Sequence, residues 1–248
     1  MSVAADLKPP PGYGPVEPLD RTRHRGLGLK SPTGYGWYRA FNAVSVSLAE
    51  FARAALDYPI VFVRDAASGD PLPMAVLGLQ QHQNLFVSAA GQWRAGCYVP
   101  AYLRRHPFCL AQARAPGGAE LRPLVCVEEG ALVPGGRPLL DERGDPTPDW
   151  TPILKLLEAI ESTRPATVAL VRRLDTLQLL APFDALALPR EGGQLRLQGM
   201  LRVDEERLKK LPGKNLKAML GQGELRAIYA HLLSLENFAR LLDLSQEA

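Results

Sequence analysis

Phe108-Cys109-Leu110-Ala111-Gln112 and Leu121-Arg122-Pro123-Leu124-Val125-Cys126-Val127 are two apolar runs with Pro116-Gly117-Gly118 between them. Short runs of this kind, bounded by Pro/Gly turn signals, read as the two arms of an antiparallel pair. A parallel pairing would need a crossover of about a dozen residues or more, for which there is no room. The same grammar recurs on the N-terminal side. Ile60-Val61-Phe62-Val63 is a β-branched and aromatic run and predicts a buried strand, and residues 74–79 predict a second. Leu85-Phe86-Val87 and the residues around Trp93 flank Ser88-Ala89-Ala90-Gly91, which predicts a hairpin. A short helix is expected over 46–56, with Ser47 as its cap ahead of Glu50. Asp57-Tyr58-Pro59 closes it, because proline biases the residue before it away from helical geometry.

Towards the C-terminus the period changes. Thr151-Pro152 is a helix start, followed by Ile153, Leu156, Leu157 and Ile160 at helical spacing. Pro165 is expected to end or kink that helix, with a second helix over 166–180. Strands are expected at 185–188 and 194–203, joined by Glu191-Gly192-Gly193. Asp204-Glu205-Glu206 opens a helix, with acids at the positive end of its dipole. A last helix is expected from about 224 to 242. Together these elements predict an α+β fold, with a largely antiparallel β-sheet core and helices concentrated in the C-terminal half.

Residues 1–36 are rich in Pro and Gly, in Pro9-Pro10-Pro11-Gly12-Tyr13-Gly14-Pro15 and Ser31-Pro32-Thr33-Gly34-Tyr35-Gly36. Such a segment predicts an extended arm over the surface rather than a helix or a central strand. Residues 37–248 are then expected to form a single domain.

Composition bounds the function. The chain has 248 residues, enough for a substantial core, and its hydrophobic and charged contents are those of a soluble globular protein. Lys and Arg number 29 against 26 Asp and Glu, a net charge of +3, and the basic residues are dispersed. This balance argues against a nucleic-acid partner. No window approaches the roughly 18 apolar residues of a membrane span. The N-terminus lacks the apolar region of a secretory signal, so a cytoplasmic location is expected. Cys97, Cys109 and Cys126 include no C-x-x-C pair, which suggests a reducing compartment, and they read as small apolar residues in strands.

No phosphate-binding loop, dinucleotide fingerprint or nucleophile elbow is present. His24, His82, His106 and His231 show no local metal-ligand spacing, so no metal and no cofactor is expected. Asp141-Glu142-Arg143-Gly144-Asp145 with Asp149 lacks the ligand pattern of a calcium loop and reads as a tight turn.

The densest chemistry lies between Trp93 and Phe108. Residues 99–105 can form one or two helical turns that Pro107 stops. Trp93, Tyr98 and Tyr102 are candidate flat contact surfaces. Arg104 and Arg105 are candidate forks for a carboxylate. On the last helix, Leu225, Ile228, Tyr229, Leu232 and Leu235 make an apolar stripe with His231 at its border and Glu236 inside it by ideal spacing. Tyr229, His231, Glu236 and Asn237 are a second candidate polar cluster.

Tyr98-Val99-Pro100-Ala101-Tyr102 with Arg105-His106-Pro107-Phe108 resembles the "YVPAYLRRYPF" block of the bacterial SapC family. Further stretches match in the same order: Leu19…His24-Arg25…Leu27, Asp57-Tyr58-Pro59-Ile60-Val61-Phe62, and Leu77-Gly78-Leu79 with Asn84-Leu85-Phe86-Val87. Leu139…Asp141…Gly144…Thr147 and Ile228-Tyr229-Ala230-His231-Leu232…Asn237 follow. The resemblance spans nearly the whole chain. His106 departs from it, standing where the family block has a tyrosine. The family name implies a surface-layer link. Family members also neighbour halogenase-like and cupin-like modifying enzymes, which implies an accessory role in peptide or protein modification.

Three functions follow as expectations. The first is a cytosolic binding or accessory protein for a peptide or polypeptide substrate, contacting it through Trp93, Tyr98, Tyr102, Arg104 and Arg105. The second is an enzyme with an unrecognised site that joins His24 to Tyr229 and His231, in a pocket that would also include Asn84 and Tyr98. The third is a structural surface-layer subunit. Whether the chain is an enzyme stays open at this point, as does its oligomeric state.

Overall fold

The computed structural model describes residues 7–20, 22–31, 34–114, 121–187 and 194–247. In chain order its strands are β1 (Val16–Pro18), β2 (Leu27–Leu29), β3 (Ala43–Ser45), β4 (Ile60–Arg64), β5 (Pro71–Val76) and β6 (Phe108–Arg114). They continue as β7 (Leu121–Glu128), β8 (Leu132–Pro134), β9 (Arg137–Pro138), β10 (Leu180–Ala187) and β11 (Leu195–Val203). The α-helices are α1 (Phe51–Ala54), α2 (Ala101–Arg104), α3 (Trp150–Thr176), α4 (Glu205–Lys209), α5 (Gly213–Gly221), α6 (Glu224–Ser234) and α7 (Asn237–Glu247). Every strand pairing among the described residues is antiparallel, and most of the helix lies in the C-terminal half, as the α+β expectation requires. The expected turns at Pro116-Gly117-Gly118 and Glu191-Gly192-Gly193 lie outside the described residues, as do Pro32, Thr33, Leu188 and residues 1–6.

The chain divides into two compact units. The first contains residues 1–33 and 103–162. It carries two three-stranded sheets, of order β1-β7-β6 and β8-β2-β9. The β6–β7 pair runs in register from Phe108↔Val127 to Arg114↔Leu121, as read from sequence. Strand alternation puts Phe108 and Val127 on a face that packs with Leu29, Leu139, Trp150 and Leu157 into one apolar cluster. Within the Pro/Gly-rich segment 1–36, Val16–Pro18 and Leu27–Leu29 are strands, and β2 is the middle strand of its sheet. The prolines cluster at 9–15, at 18 and at 32, which leaves Leu27–Leu29 free to donate on both sides.

Gly28 and Gly136 meet backbone to backbone in that sheet. A Cβ on Gly28 would lie 2.2 Å from the Gly136 carbonyl oxygen, and a Cβ on Gly136 would lie 2.3 Å from that of Gly28. Neither contact can relax by moving a side chain. Gly136→Ala is therefore expected to destabilise the protein by about 1–3 kcal/mol, measured by urea denaturation. An unchanged midpoint would contradict this packing.

The second unit contains residues 34–102 and 163–248, with one five-stranded sheet of order β10-β11-β4-β5-β3. Strand β5 begins three residues earlier than its sequence predicts, with prolines at its start. Pro73 accepts from the Val46 N–H at 3.1 Å but has no N–H to return, and the β3–β5 register ends at the preceding pair, Ser45↔Met74. The missing donor thus falls at the end of the ladder, where a proline is tolerated. The expected helix over 46–56 is a 3₁₀ turn (Leu48–Glu50) running into α1, with Glu50 bonding back to Ser47 as anticipated. The expected hairpin around Ser88–Gly91 keeps its turn, but its arms reduce to a single bridge, Val87↔Trp93.

A separate helix after Pro165 and an unbroken helix over 224–242 do not form, for physical reasons. Pro165 does not end its helix: α3 runs through it from Trp150 to Thr176. The ring is exposed, while Leu157 before it and Leu170 and Leu174 after it are buried, so tertiary burial on both sides outweighs the local cost. The helix expected over 224–242 breaks at Leu235–Glu236. The Ser234 hydroxyl donates to the His231 carbonyl at 2.6 Å, and the last turn tightens to i→i+3 bonds. Glu236 consequently sits exposed at the break rather than inside the apolar stripe.

Candidate functional site

The Trp93–Phe108 block is divided between the two units at Tyr102/Leu103. In the second unit its polar groups are consumed in holding the block itself. The Tyr98 N–H donates to Asp57 Oδ2 at 2.8 Å, and its hydroxyl donates to Glu50 Oε1 at 3.0 Å. The Tyr98 carbonyl accepts from the Tyr58 hydroxyl and, at 3.2 Å, from the Trp93 indole. Trp93 also stacks on Phe86, with ring centroids 6.0 Å apart. Asp57 in turn takes Arg240 Nη1 at 3.0 Å, and Arg240 Nη2 reaches Cys97 Sγ at 3.2 Å. Burial pushes the Tyr58 hydroxyl and the Cys97 thiol up from their ordinary ranges. Tyr102 is half-buried and tilted against Tyr38, with centroids 6.1 Å apart.

In the first unit Arg104 is exposed, and Arg105 lies over the Tyr13 ring at 5.9 Å. His106 bonds Glu128 Oε2 at 2.7 Å and meets Tyr13 edge-on, and desolvation pushes its pKa down. The contact surface expected from Trp93, Tyr98, Tyr102, Arg104 and Arg105 is thus not one surface within either unit. Aromatic residues with a polar handle serve as buried struts as readily as contact faces, and residue type alone does not separate the two uses.

The enzyme candidates are dispersed. His24 belongs to the first unit, whereas Asn84, Tyr98, Tyr229 and His231 belong to the second. Asn84 is buried, donating to the Tyr38 carbonyl and accepting from the Phe86 N–H. Tyr229 is 45% exposed, and His231 is fully buried. His231 Nε2 faces the Val203 N–H at 3.0 Å, so it can only accept. Nδ1 therefore carries the proton and donates to the Ile60 carbonyl at 2.7 Å. Both ring nitrogens are spent on tying β4 to β11. Burial lowers the His231 pKa to about 4. Asn237 is likewise committed, donating to the Ala55 carbonyl at 2.8 Å.

A different site lies wholly inside the first unit: a cavity of about 550 Å³. Its apolar wall is formed by Leu19, Leu27, Val125, Leu139, Trp150 and Leu154. Its polar rim is formed by two turns. In one, Asp20 Oδ1 accepts from the Thr22 and Arg23 N–H groups at 2.8 and 2.7 Å. Those two bonds hold the Asp20 carboxyl below its ordinary pKa. His24 closes the same turn, with Nδ1 3.0 Å from the Asp20 nitrogen and Nε2 3.1 Å from Glu17 Oε1. In the other turn, Asp141 Oδ1 accepts from the Arg143 and Asp145 N–H groups, both at 2.9 Å, and Gly144 takes φ +85°. This is the tight Asp/Gly turn read from sequence. Arg25, Glu142 and Arg143 complete the rim.

Of the candidate binding and catalytic residues named from sequence, His24 reaches this cavity, and so does the turn at 141–144. The missed signal was positional. Residues of the stretches 19–28 and 138–146, far apart in the chain, line the same cavity. Among the described residues no group of three His, Cys, Asp or Glu could hold a metal ion, and no helix is long and apolar enough to cross a membrane.

The fold and cavity define an α+β protein whose concave site is built by a small antiparallel unit rather than by a known catalytic motif. The SapC family model matches residues 19–241, and the chain belongs to the SapC family. No curated protein and no solved structure matches the chain.

Proposed function

We propose that this chain is a binding or accessory protein for peptide or polypeptide substrates, and that the first-unit cavity receives an apolar side chain of the bound segment. The observation that carries the proposal is the cavity: about 550 Å³, apolar inside and ringed by charged turns. Sites of roughly 300–1,000 Å³ with apolar walls and a few polar groups are the usual form of a ligand pocket. Burying one leucine or phenylalanine side chain there is worth about 1.5–3 kcal/mol before ordering costs. The rim carries both signs of charge, which suits the mixed backbone and side-chain polarity of a peptide better than a strongly anionic polymer. On this reading the protein holds a polypeptide for a modifying enzyme of the halogenase-like or cupin-like kind.

Leu140 lines the cavity and is half-buried. Leu140→Trp is expected to fill the space with little effect on folding. Binding of a hexapeptide panel with a central Leu, Phe or Ala, followed by calorimetry, checks this. The Leu and Phe peptides should bind wild type at least about tenfold more tightly than the Ala peptide, a difference of about 1.4 kcal/mol. The substitution should abolish that preference. Equal binding of all three, or binding indifferent to Leu140→Trp, would refute the proposal.

A further inference from the structure

Cys109 and Cys126 are register partners on β6 and β7. The Glu128 N–H donates to the Pro107 carbonyl at 3.0 Å, which makes 107/128 a hydrogen-bonded pair. Alternation then makes Cys109/Cys126 the next such pair, with Cα atoms about 5.5 Å apart. That spacing falls in the range of about 4.4–6.8 Å that a disulfide spans. Phe108, Leu110, Val125 and Val127 face the apolar cluster around Trp150, so both thiols project from the opposite face of the sheet. They are 2% and 0% exposed, and the Cys126 thiol also reaches the Leu124 carbonyl at 3.8 Å.

We propose that Cys109 and Cys126 form a redox-active dithiol, which a hydroperoxide closes into an intramolecular cross-strand disulfide. The pair is asymmetric in the way this chemistry needs. The Arg105 guanidinium acts on Cys109, where its charge favours the thiolate. The Cys109 thiolate attacks one hydroperoxide oxygen. The O–O bond breaks, the alcohol leaves with a proton taken from solvent in exchange for the one Cys109 lost, and Cys109 becomes a sulfenic acid. The Cys126 sulfur then attacks the Cys109 sulfur, the S–O bond breaks, and water leaves with the Cys126 proton. Two thiols lose two electrons in total, and the hydroperoxide gains them as it becomes alcohol and water. Side chains of a hydrogen-bonded pair stand further apart than a relaxed disulfide prefers, so the bond formed is strained and readily reduced.

Cys97 is the internal control. It lies in the second unit beside Arg240, and desolvation pushes its thiol up. The test treats the full-length protein with hydrogen peroxide, denatures it, alkylates the free thiols and maps the peptides by mass spectrometry. Two of the three thiols should be lost, with the chain lighter by two hydrogen atoms, a peptide cross-link joining 109 to 126, and full recovery under dithiothreitol. Cys97→Ser should behave identically. Cys126→Ser should lose the cross-link and leave Cys109 oxidised to higher oxygen adducts. Alkylation of all three thiols after peroxide, loss of Cys97 instead, or a disulfide found only between two chains would overturn the proposal. The wild-type peptide map decides even where a serine variant folds poorly.

Discussion

Glu50→Ala should lower the unfolding free energy by about 3–5 kcal/mol, the cost of removing one partner from a buried charged network. Glu50 is 8% exposed, and its carboxylate accepts four hydrogen bonds. Oε2 takes the Ser47 N–H and hydroxyl at 2.9 and 2.8 Å, and Oε1 takes the Tyr98 hydroxyl and the Ala101 N–H at 3.0 and 2.7 Å. One side chain thus ties the start of α1 to the start of α2. Its removal leaves the buried Ala101 N–H without a partner and takes the acceptor from the half-buried Ser47 and Tyr98 donors, which costs more than the bonds themselves were worth. For a chain of this size the melting temperature should fall by roughly 10 °C. Tyr98→Phe deletes only one of the four bonds and should cost about 1 kcal/mol. A stability unchanged by Glu50→Ala would mean that the network is not structural, and it would return Tyr98 to the list of contact residues.

Acidification should cost the protein about 3 kcal/mol through His231 alone, taking about 1.36 kcal/mol per pKa unit. Its pKa falls from an ordinary 6.5 to about 4 because burial disfavours the imidazolium. Above pH 6.5 the ring is neutral in both the folded and the unfolded chain, and its contribution is complete. Between pH 6.5 and pH 4 the unfolded chain binds a proton that the folded chain refuses, so stability falls with pH. Below pH 4 the loss is complete and flat. His106, also depressed by burial, adds to the same slope, whereas the raised Glu224 carboxyl opposes it. Comparing wild type with His231→Gln isolates the histidine. The variant should be less stable at pH 7, because it loses the paired bonds to Ile60 and Val203, and it should show a shallower decline from pH 6.5 to 4. Parallel pH profiles for the two proteins would contradict the neutral, doubly bonded assignment.

Much of the fold is legible in the residues because local and tertiary preferences agree. The Phe108–Val127 pair, the Ile60 strand and the Ser47/Glu50 cap form where their sequence chemistry places them, whereas α3 begins before Thr151-Pro152, at Trp150, whose N–H donates to the Thr147 hydroxyl. Legibility ends where tertiary contacts overrule local ones. Pro165 is tolerated because its ring is exposed while buried leucines hold the helix on either side. The helix after Glu224 stops because the Ser234 and Asn237 side chains bond backbone groups of the neighbouring chain segments, a cue that an ideal 3.6-residue wheel does not carry. The site was harder to read for the same reason. Trp93 and Tyr98 advertise binding chemistry but spend it internally. The cavity, by contrast, is assembled from ordinary leucines on β2, near β9 and on α3, which meet only once the two small sheets form. Among its polar groups, His24 and the Asp141 turn drew notice, one as a candidate catalyst and the other as a tight turn.

The three tryptophans make the decisive measurement direct. Trp150 lines the cavity, Trp93 sits in the Tyr58–Tyr98 network, and Trp37 packs edge-on against Tyr38. Titrating the leucine-centred hexapeptide into isotopically labelled protein reports on each indole N–H separately. Binding in the proposed cavity predicts a saturable shift of the Trp150 indole, with Trp93 and Trp37 unmoved. A shift of Trp93 with Trp150 silent would place recognition on the 93–105 block and contradict the account.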